Sequence, residues 1–297
     1  MTTQASCVGS GVGVGLSGMR RRLLYAKSPA WAKTALAASE LMMSPAFTTL
    51  KRTGRTHAGV YADGDTEFFI KRVMTGGWAD GIAQRLRGSR AARTQRGAAI
   101  LSAAGFACPR LLAAVEERSG GAIRASYVLN ERLAQARMMS VFALAGGRNF
   151  RRRKWASQAV AHEVHRLHGA GIYTRDLQET NLMLEAADEG DSIRVYFVDL
   201  EDFRRVRRVS TKRRLLNLVH LDRSIGRFVS RGQRLRFLYY YLGERPGRAE
   251  ARRIVGRLIA MRHKADARMR RGHAPASMPG VDGPQMPCTA REKINSV

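Results

Sequence analysis

Cysteine is scarce in this chain, and long apolar runs are missing. The three cysteines, Cys7, Cys108 and Cys288, lie far apart and are odd in number, which excludes a disulfide framework and a Cys-x-x-Cys metal pair. No stretch approaches the roughly 18–20 apolar residues that span a bilayer. Residues 1–18 do not show the basic and then apolar order of a secretory signal. We therefore predict a cytoplasmic protein, either soluble or peripheral on the inner face of the cell membrane.

Acidic residues are also few, with 24 Asp and Glu against 52 Lys and Arg, so the net charge is +28. A GC-rich genome explains the preference for Arg over Lys, but it does not explain the surplus of positive charge. Because 44% of the residues are hydrophobic, the chain has enough apolar material for a core and is not a disordered polycation. The surplus favours an anionic partner, which is nucleic acid, a phospholipid surface or a phosphorylated glycan.

The residue pattern divides the chain into four parts. Residues 1–44 predict a flexible leader with a candidate amphipathic segment, for which a packing helix is the alternative. Residues 45–129 carry short alternating runs broken by glycines, typical of antiparallel strands, and helical spacing from Gly81 to Ala104. Residues 130–271 are mostly helical, and residues 272–297 predict a disordered tail. The predicted fold class is α+β, with a small antiparallel-sheet lobe before a larger helical lobe.

One segment carries a catalytic pattern. Asp176 is followed five residues later by Asn181 and then by an apolar strand, which matches the loop Arg-Asp-x-x-x-x-Asn of protein kinase-like folds. In that loop the Asp accepts the proton of the acceptor hydroxyl, and the Asn holds magnesium on the nucleotide phosphates. Asp199 ends a second apolar strand, where such folds place another magnesium ligand, and Lys71 lies near the end of an upstream strand, where a lysine neutralises phosphates. The order of these four residues predicts a two-lobed kinase-like fold.

Further stretches extend this match on both sides of the catalytic loop. They are Phe69-Ile-Lys71-Arg72, Leu86-Arg-Gly-Ser-Arg-Ala91, Leu167-His168, Arg175-Asp176-Leu177 with Asn181, Val198-Asp199-Leu200 and Arg214-Leu-Leu-Asn217-Leu. Over about residues 45–245 the chain resembles the lipopolysaccharide kinase (Kdo/WaaP) family of the protein kinase-like superfamily, which phosphorylates sugars of the lipopolysaccharide inner core. The resemblance implies ATP and Mg²⁺ as cofactors and an anionic glycolipid acceptor at the inner membrane.

The chain departs from the usual kinase pattern after Lys71. Kinase folds hold this lysine by an ion pair to a Glu on the next helix, but no Asp or Glu occurs from Gly81 through Val115. Gln84 or Gln95 offers a neutral hydrogen bond instead. We therefore expect Lys71 to be held less firmly, because a charge-assisted bond is about twice as strong as a neutral one. Thr174 also stands where a His usually precedes Arg-Asp.

Position along the chain indicates where a nucleotide would lie. Contacts to the base are expected from the backbone near Asn130 and Glu131, between the lobes. The loop that covers the phosphates is expected near Thr53–Gly59, where backbone amides can hold phosphate, although this segment has only two glycines.

Basic residues are concentrated after Asp199. From Glu201 through Gly272 there are 22 Lys and Arg against six Asp and Glu. In a kinase fold this region lies beside the acceptor cleft, so we expect Arg207, Arg208 and Arg214 to contact the acceptor or an anionic membrane, with a solvated surface as the alternative.

Three histidines recur at three-residue spacing, His162, His165 and His168. They lack the gap of the His-Glu-x-x-His zinc motif, and side chains at this spacing drift around a helix. We therefore expect a packing helix under the catalytic loop, supported by His168, and no metal site.

The sequence thus predicts an ATP-dependent phosphotransferase that acts on a sugar hydroxyl of a lipopolysaccharide-core-type glycolipid. One alternative is a Ser/Thr protein kinase of the same fold. The other is a non-catalytic, pseudokinase-like basic module that binds an anionic membrane or nucleic acid, which the missing acid after Lys71 would favour. Steep salt dependence of nucleic-acid binding would support the second alternative.

Overall fold

The structure is a computed structural model that describes residues 12–14, 19–141, 150–186, 192–226, 228–243 and 246–272. The predicted tail, apart from Gly272, and most of the predicted leader lie outside these residues. In the described part of the chain an antiparallel sheet precedes a region rich in helices. This order confirms the α+β class predicted from the sequence.

Seven strands form the sheet of the first lobe. They are β1 Val12–Val14, β2 Arg20–Ala26, β3 Phe47–Arg52, β4 Thr56–Asp63, β5 Thr66–Met74, β6 Leu111–Ser119 and β7 Ala122–Glu131. Their order across the sheet is β1-β2-β6-β7-β5-β4-β3, and every neighbouring pair is antiparallel. Lys71 lies in β5, opposite Val128 of β7, so the predicted lysine strand is flanked by partners on both sides.

Strand β2 lies in the segment for which the sequence pattern indicated an amphipathic segment or a helix. It pairs with β6, where Arg21 stands opposite Glu117 and Arg22 opposite Glu116. Cross-strand pairs of opposite charge stabilise a sheet. The partner strand is far along the chain, where local periodicity cannot show it. The sheet therefore begins before residue 45, the predicted start of this lobe.

Two short helices, α1 (Pro29–Leu36) and α2 (Ala38–Leu41), follow β2. Pro29 begins α1, because the fixed φ of proline suits the first helical position. Ser28 Oγ accepts a hydrogen bond from the backbone N–H of Trp31 at 3.4 Å, and the Trp31 ring packs edge-on against Phe68, 5.1 Å between centroids. Helix α1 therefore packs against the sheet.

The helical stretch predicted from Gly81 to Ala104 is two helices, α3 (Gly77–Arg87) and α4 (Arg90–Ala103). They are separated by Gly88, whose φ of 85° favours glycine, and by Ser89. Ser89 Oγ accepts a hydrogen bond at 3.0 Å from the backbone N–H three residues on, and serine is among the strongest N-cap residues. The predicted helical stretch is therefore helical but divided, at a Gly-Ser pair that is visible in the sequence.

The second lobe contains helices around a small sheet. Its elements in the described residues are α5 Phe150–Gly169, α6 Thr211–Ile225, α7 Arg231–Leu242, α8 Arg248–Gly272, β8 Arg137–Met138, β9 Ile172–Tyr173, β10 Leu182–Ala186, β11 Ile193–Phe197 and β12 Arg204–Arg205, with 3₁₀ helices at Glu179–Asn181 and Leu200–Asp202. Strand β10 pairs with β11 and β8, and β12 pairs with β9. Among the described helices, none combines the length and the apolarity that crossing a bilayer requires.

Candidate active site

Asp176 lies in the loop between β9 and the 3₁₀ helix Glu179–Asn181. Its Oδ1 accepts a hydrogen bond from Gln178 Nε2, and its Oδ2 accepts one from Asn181 Nδ2 at 3.1 Å. Asn181 Nδ2 also donates to the backbone oxygen of Asp176 at 2.9 Å. The spacing of five residues therefore closes the loop, and the two amide donors orient the carboxylate.

A row of hydrogen bonds supports this loop from the helices below it. Asn217 Nδ2 donates to the backbone oxygen of the buried Thr174 at 2.7 Å, and Asn217 Oδ1 is 3.0 Å from His168 Nε2. Because that oxygen can only accept, His168 carries its proton on Nε2, and its Nδ1 accepts from the Tyr241 hydroxyl at 2.8 Å. Thr174 Oγ1 accepts from the backbone N–H of Asp176 at 3.2 Å. Thr174 and His168 thus hold the loop together.

The buried His168 predicts a loss of stability in acid. Burial lowers the pKa of His168 from 6.5 to about 4, against the hydrogen bond to Asn217 and helped by the charge of Arg214. The unfolded chain therefore binds this proton first as the pH falls. Between about pH 6.5 and pH 4 the free energy of unfolding should fall by roughly 3 kcal/mol from this residue. Urea denaturation at both ends of the range should show a smaller decrease in His168→Gln, and an equal decrease in both proteins would contradict the assignment.

Asp199 follows β11 in a left-handed backbone conformation, with φ 56°. Among the described residues, no other residue except glycine has a positive φ. Such a conformation costs about 1–3 kcal/mol and is kept where the surroundings determine it. Here Asp199 Oδ1 accepts a hydrogen bond from Lys71 Nζ at 2.9 Å. The turn therefore places this carboxylate beside the lysine of the other lobe.

Lys71 is held by two carboxylates of the second lobe. Its Nζ donates to Asp199 Oδ1 at 2.9 Å and to Glu201 Oε1 at 3.2 Å. Burial alone would lower the pKa of Lys71, but the charges of Asp199 and Glu201 and the hydrogen bonds to both raise it above its ordinary value. The prediction that Lys71 is held less firmly, by a neutral group, is wrong. Gln84, one of the expected partners, donates instead to Thr75 Oγ1 at 2.9 Å.

Glu201 pairs with the strand lysine as a glutamate on the following helix does in protein kinases. Its side chain is 9% exposed, and its Oε2 accepts from Arg90 Nη1 at 3.1 Å and from Arg93 Nη2 at 3.2 Å, both on α4. The polarity is therefore reversed: the helix supplies arginines, and the acid comes from the turn after Asp199. The arginines of α4 and the glutamate after Asp199 thus belong to one ion-pair network, in which α4 itself supplies no acid.

Gly97 brings α4 close enough for these contacts. A Cβ at Gly97 would overlap the carbonyl oxygen of Leu200, in the 3₁₀ helix that carries Glu201. The helix backbone thus packs directly on that turn, and the buried Leu200 lies in a hydrophobic core with Ala98 and Leu101 of α4. This close approach fixes the distance between the arginines and Glu201.

Residues from both lobes line a polar pocket of about 190 Å³. It brings together Lys71, Asp176 and Asp199, three of the site residues predicted from the sequence. Thr56, within the predicted phosphate loop, also lines the pocket, as do residues that the sequence prediction did not assign to the site: Lys51, Val73, Arg90, Glu201 and Asp202. One signal for Glu201 and Asp202 was available, because three acids in four residues are unusual in this chain. Asn181 acts behind Asp176 and does not line the pocket.

The predicted nucleotide-base residues lie at the end of β7, outside the lining of this pocket. The backbone of Glu131 pairs with Arg110, N–H to oxygen at 3.0 Å, and the Glu131 carboxylate accepts from the backbone N–H of Arg110 at 2.9 Å. Asn130 Oδ1 is buried and has no hydrogen-bond partner among the described residues. Gly59, at the end of the predicted phosphate loop, lies within β4, where a Cβ would overlap Thr48 O. The turn Thr53–Arg55 alone connects β3 and β4.

The three predicted acceptor contacts differ in environment. Arg207 and Arg208 are exposed on the segment after β12. Arg214 is half-buried, and it donates to the backbone oxygens of Val209 and His168, both at 3.3 Å. Arg214 thus also supports the loop, and contact of all three with an acceptor stays a prediction.

Comparison with known proteins decides the family. The model of the lipopolysaccharide kinase (Kdo/WaaP) family matches residues 47–241, more than half of the chain. The chain belongs to the lipopolysaccharide kinase (Kdo/WaaP) family. The family and the kinase activity predicted from the sequence are confirmed, and the protein is a phosphotransferase. The matched range includes the predicted catalytic residue Asp176, the predicted metal ligands Asn181 and Asp199, and the predicted cofactor-binding Lys71.

A solved structure agrees on the fold of this kinase. The structure of WaaP in complex with acyl carrier protein is similar with a TM-score of 0.60 and 21% sequence identity, covering 83% of this chain and 98% of that chain. At this identity the likeness shows the fold alone, which is the predicted kinase-like fold. No significant match was found among curated proteins.

The kinase has a second pocket of about 790 Å³ in its helical lobe. Residues of α5, α6, α7 and α8 line it, and most of the lining surface is apolar. Several arginines, among them Arg153, Arg231 and Arg262, complete the lining. None of the residues that line the polar pocket takes part in it.

Proposed function

We propose that this kinase transfers the γ-phosphate of ATP to a sugar hydroxyl of a lipopolysaccharide-core-type glycolipid. The convergence of Lys71, Asp176 and Asp199 in one pocket of a lipopolysaccharide kinase family member is the observation that carries the proposal. Phosphoryl transfer asks a protein mainly for positioning and charge neutralisation. The pocket offers both, with three cationic and four acidic side chains in its lining.

Asp176 is the proposed catalytic residue. Its two amide donors, Gln178 and Asn181, hold the carboxylate in a fixed orientation, so that it can orient an acceptor hydroxyl and accept its proton. Lys71 would bind the nucleotide phosphates. Because Lys71 already faces carboxylates, phosphate oxygens would replace anionic partners that hold the ammonium group in place.

Magnesium fits the carboxylates that line the pocket. Mg²⁺ is usually bound by one or two carboxylates and completed by phosphate oxygens and water. In the described part of the chain no group of three or more His, Cys, Asp or Glu side chains could hold a metal ion alone, which suits a cation that arrives with a nucleotide. Asp199, which lines the pocket, would hold it, and Asn181, whose Nδ2 bonds to Asp176 outside that lining, would add its amide oxygen. The charge of the cation would offset that of the phosphates.

The end of β7 is the proposed site for the nucleotide base. Asn130 and Glu131 lie where the chain passes from the first lobe to the second. The unpaired, buried Asn130 Oδ1 is an acceptor without a partner in the described structure, and a buried acceptor of this kind is costly unless something binds it. An exocyclic amine of the base would satisfy it.

The acceptor is proposed to be an anionic glycolipid, met at the inner face of the cell membrane. The exposed Arg207 and Arg208 follow β12, which pairs with β9 directly before the catalytic loop. The strand that leads to these arginines is thus paired with the strand that leads to Asp176. Arg214 lies on α6, the next helix along the chain. We also propose that the pocket of the helical lobe accepts acyl chains, since its volume is about 790 Å³ and most of its lining is apolar.

Label transfer from γ-labelled ATP tests the proposal. The panel contains core glycolipids with and without their acyl chains, a protein lysate, and Asp176→Ala as the inactive control. We expect label in glycolipid, more in the acylated forms, and none with the control. Label in protein alone would select the Ser/Thr kinase alternative. No transfer and no magnesium-dependent ATP binding would select the non-catalytic module.

A further inference from the structure

Helix α3 exposes its apolar residues and buries a polar one. Trp78 and Leu86 are each 82% exposed and Ile82 is 49% exposed, whereas Gln84 is 3% exposed. Residues four apart lie on one face of a helix, so these three side chains form one stripe. A single exposed leucine is ordinary on a protein surface. A tryptophan, an isoleucine and a leucine aligned along a whole helix are not, and such a patch marks an interaction surface.

The orientation of α3 is fixed by its polar residues. Gln84 Nε2 donates to Thr75 Oγ1 at 2.9 Å, which directs this side of the helix inward. Asp80, the acid in the first turn, accepts from the backbone N–H of Gly76 at 2.8 Å. The carboxylate of α3 is therefore bonded at the helix start. These two hydrogen bonds fix the rotation of the helix about its axis, so that the stripe faces outward.

Basic side chains surround the stripe. Arg85 and Arg87 are exposed on α3 itself. The exposed Arg55 of the β3–β4 turn lies against the start of the helix, since a Cβ at Gly76 would overlap its guanidinium group. From Gly81 through Val115 the sequence has no acid. An apolar stripe with arginines beside it is the pattern of a helix that lies in the plane of a membrane surface.

Helix α3 follows a strand that contributes residues to the catalytic pocket. Met74, which is 44% exposed, precedes α3, and its backbone N–H donates to Arg55 O at 2.8 Å. The neighbouring residues of these two, Val73 and Thr56, both line the polar pocket. Helix α3 thus begins four residues after Val73, which lines the pocket.

We propose that Trp78, Ile82 and Leu86, together with Arg55, Arg85 and Arg87, form the surface by which this protein docks on an anionic phospholipid bilayer. These six residues are named the α3 face. Charge complementarity selects the bilayer as the partner, because the α3 face pairs apolar side chains with cations and a protein of net charge +28 is attracted to anionic lipid. The inference rests on the proposed function only for placing the acceptor in a membrane.

Co-sedimentation of the full chain with vesicles tests the docking. Vesicles of phosphatidylcholine with about a third phosphatidylglycerol should bind the protein, and pure phosphatidylcholine should bind it weakly. The variant Trp78→Ser/Ile82→Ser/Leu86→Ser should bind at least tenfold more weakly. Met19→Ser/Met43→Ser is the matched control, because it removes other exposed apolar residues of the same lobe, and it should bind as wild type does.

Fluorescence separates docking from a general loss of folding. In Trp31→Phe/Trp155→Phe only Trp78 emits, since the chain has three tryptophans. Its emission should move to shorter wavelength with anionic vesicles and stay unchanged with neutral ones. Emission that is unmoved by anionic vesicles would overturn the proposal. So would equal vesicle binding by the triple serine variant, or a dimer without lipid that the triple variant abolishes.

The vesicles contain neither ATP nor glycolipid, so this test is independent of catalysis. Docking without label transfer would leave the α3 face standing and remove the proposed reaction. Label transfer in detergent without docking would remove the α3 face and leave the proposed reaction standing.

Discussion

Asp176→Ala is expected to lower the rate of phosphate transfer about 10²–10⁴-fold, the range typical of a general base, while ATP binds nearly as well as before. The reason is geometric. The Asp176 carboxylate is oriented by Gln178 and Asn181, and Lys71, the proposed phosphate ligand, is anchored separately by Asp199 and Glu201. Removing the Asp176 carboxylate therefore leaves Lys71 and both of its anchors in place.

The measurement is single-turnover transfer beside nucleotide binding. Asp176→Asn should be as inactive as Asp176→Ala, because an amide cannot accept the hydroxyl proton. Glu163→Gln is the matched control: its carboxylate pairs with Arg166 on the surface of α5, and its removal should change neither quantity. Transfer at the wild-type rate by either Asp176 variant would show that another group performs the reaction.

Glu201→Gln is expected to lower kcat/KM about 10²-fold, since a misplacement of about 1 Å in a reacting group has an effect of this size. One Glu201 carboxylate balances Lys71, Arg90 and Arg93. Neutralising it leaves three cations close together in a largely buried place, and removing one partner of a buried pair costs about 3–5 kcal/mol. We therefore expect a lower melting temperature as well, and a higher KM for ATP because Lys71 loses one of its two anchors.

A matched pair of glycine variants separates position from charge. Gly97→Ala should lower activity with every charge retained, because the added Cβ would overlap Leu200 O and push α4 away from Glu201. Gly256→Ala in α8 should have no effect on activity, because a Cβ there meets nothing within 4 Å. Full activity of both Glu201→Gln and Gly97→Ala would show that the network does not position Lys71.

The residues of the catalytic loop could be predicted because their signal is local. Asp176 and Asn181 are five residues apart, and Asp199 ends a strand that pairs with the strand after Asn181, so spacing and apolar runs suffice. The confirmed fold follows from the same pattern.

The Lys71 anchor could not be predicted in this way, because it depends on contacts between distant segments. Lys71 and Glu201 are 130 positions apart, and the sequence showed only that α4 has no acid. Strand β2 could not be predicted for the same reason. Its arginines stand opposite Glu116 and Glu117 of β6, and local periodicity does not reveal a partner so far along the chain. The boundary between α3 and α4 is different, because Gly88 and Ser89 are local signals for a helix end and a helix start. The helical spacing of the apolar residues continues across them, so spacing alone does not show the boundary.

The packing of α4 has a consequence for regulation. Many protein kinases become active when the helix after the strand lysine moves and brings its glutamate to that lysine. In this chain the equivalent helix carries Arg90 and Arg93, which bond to the turn after Asp199, and its Gly97 leaves no gap against that turn. The helix therefore cannot swing outward without breaking a largely buried ion-pair network. An enzyme built in this way is expected to be permanently competent, with its output set by how often it meets its acceptor.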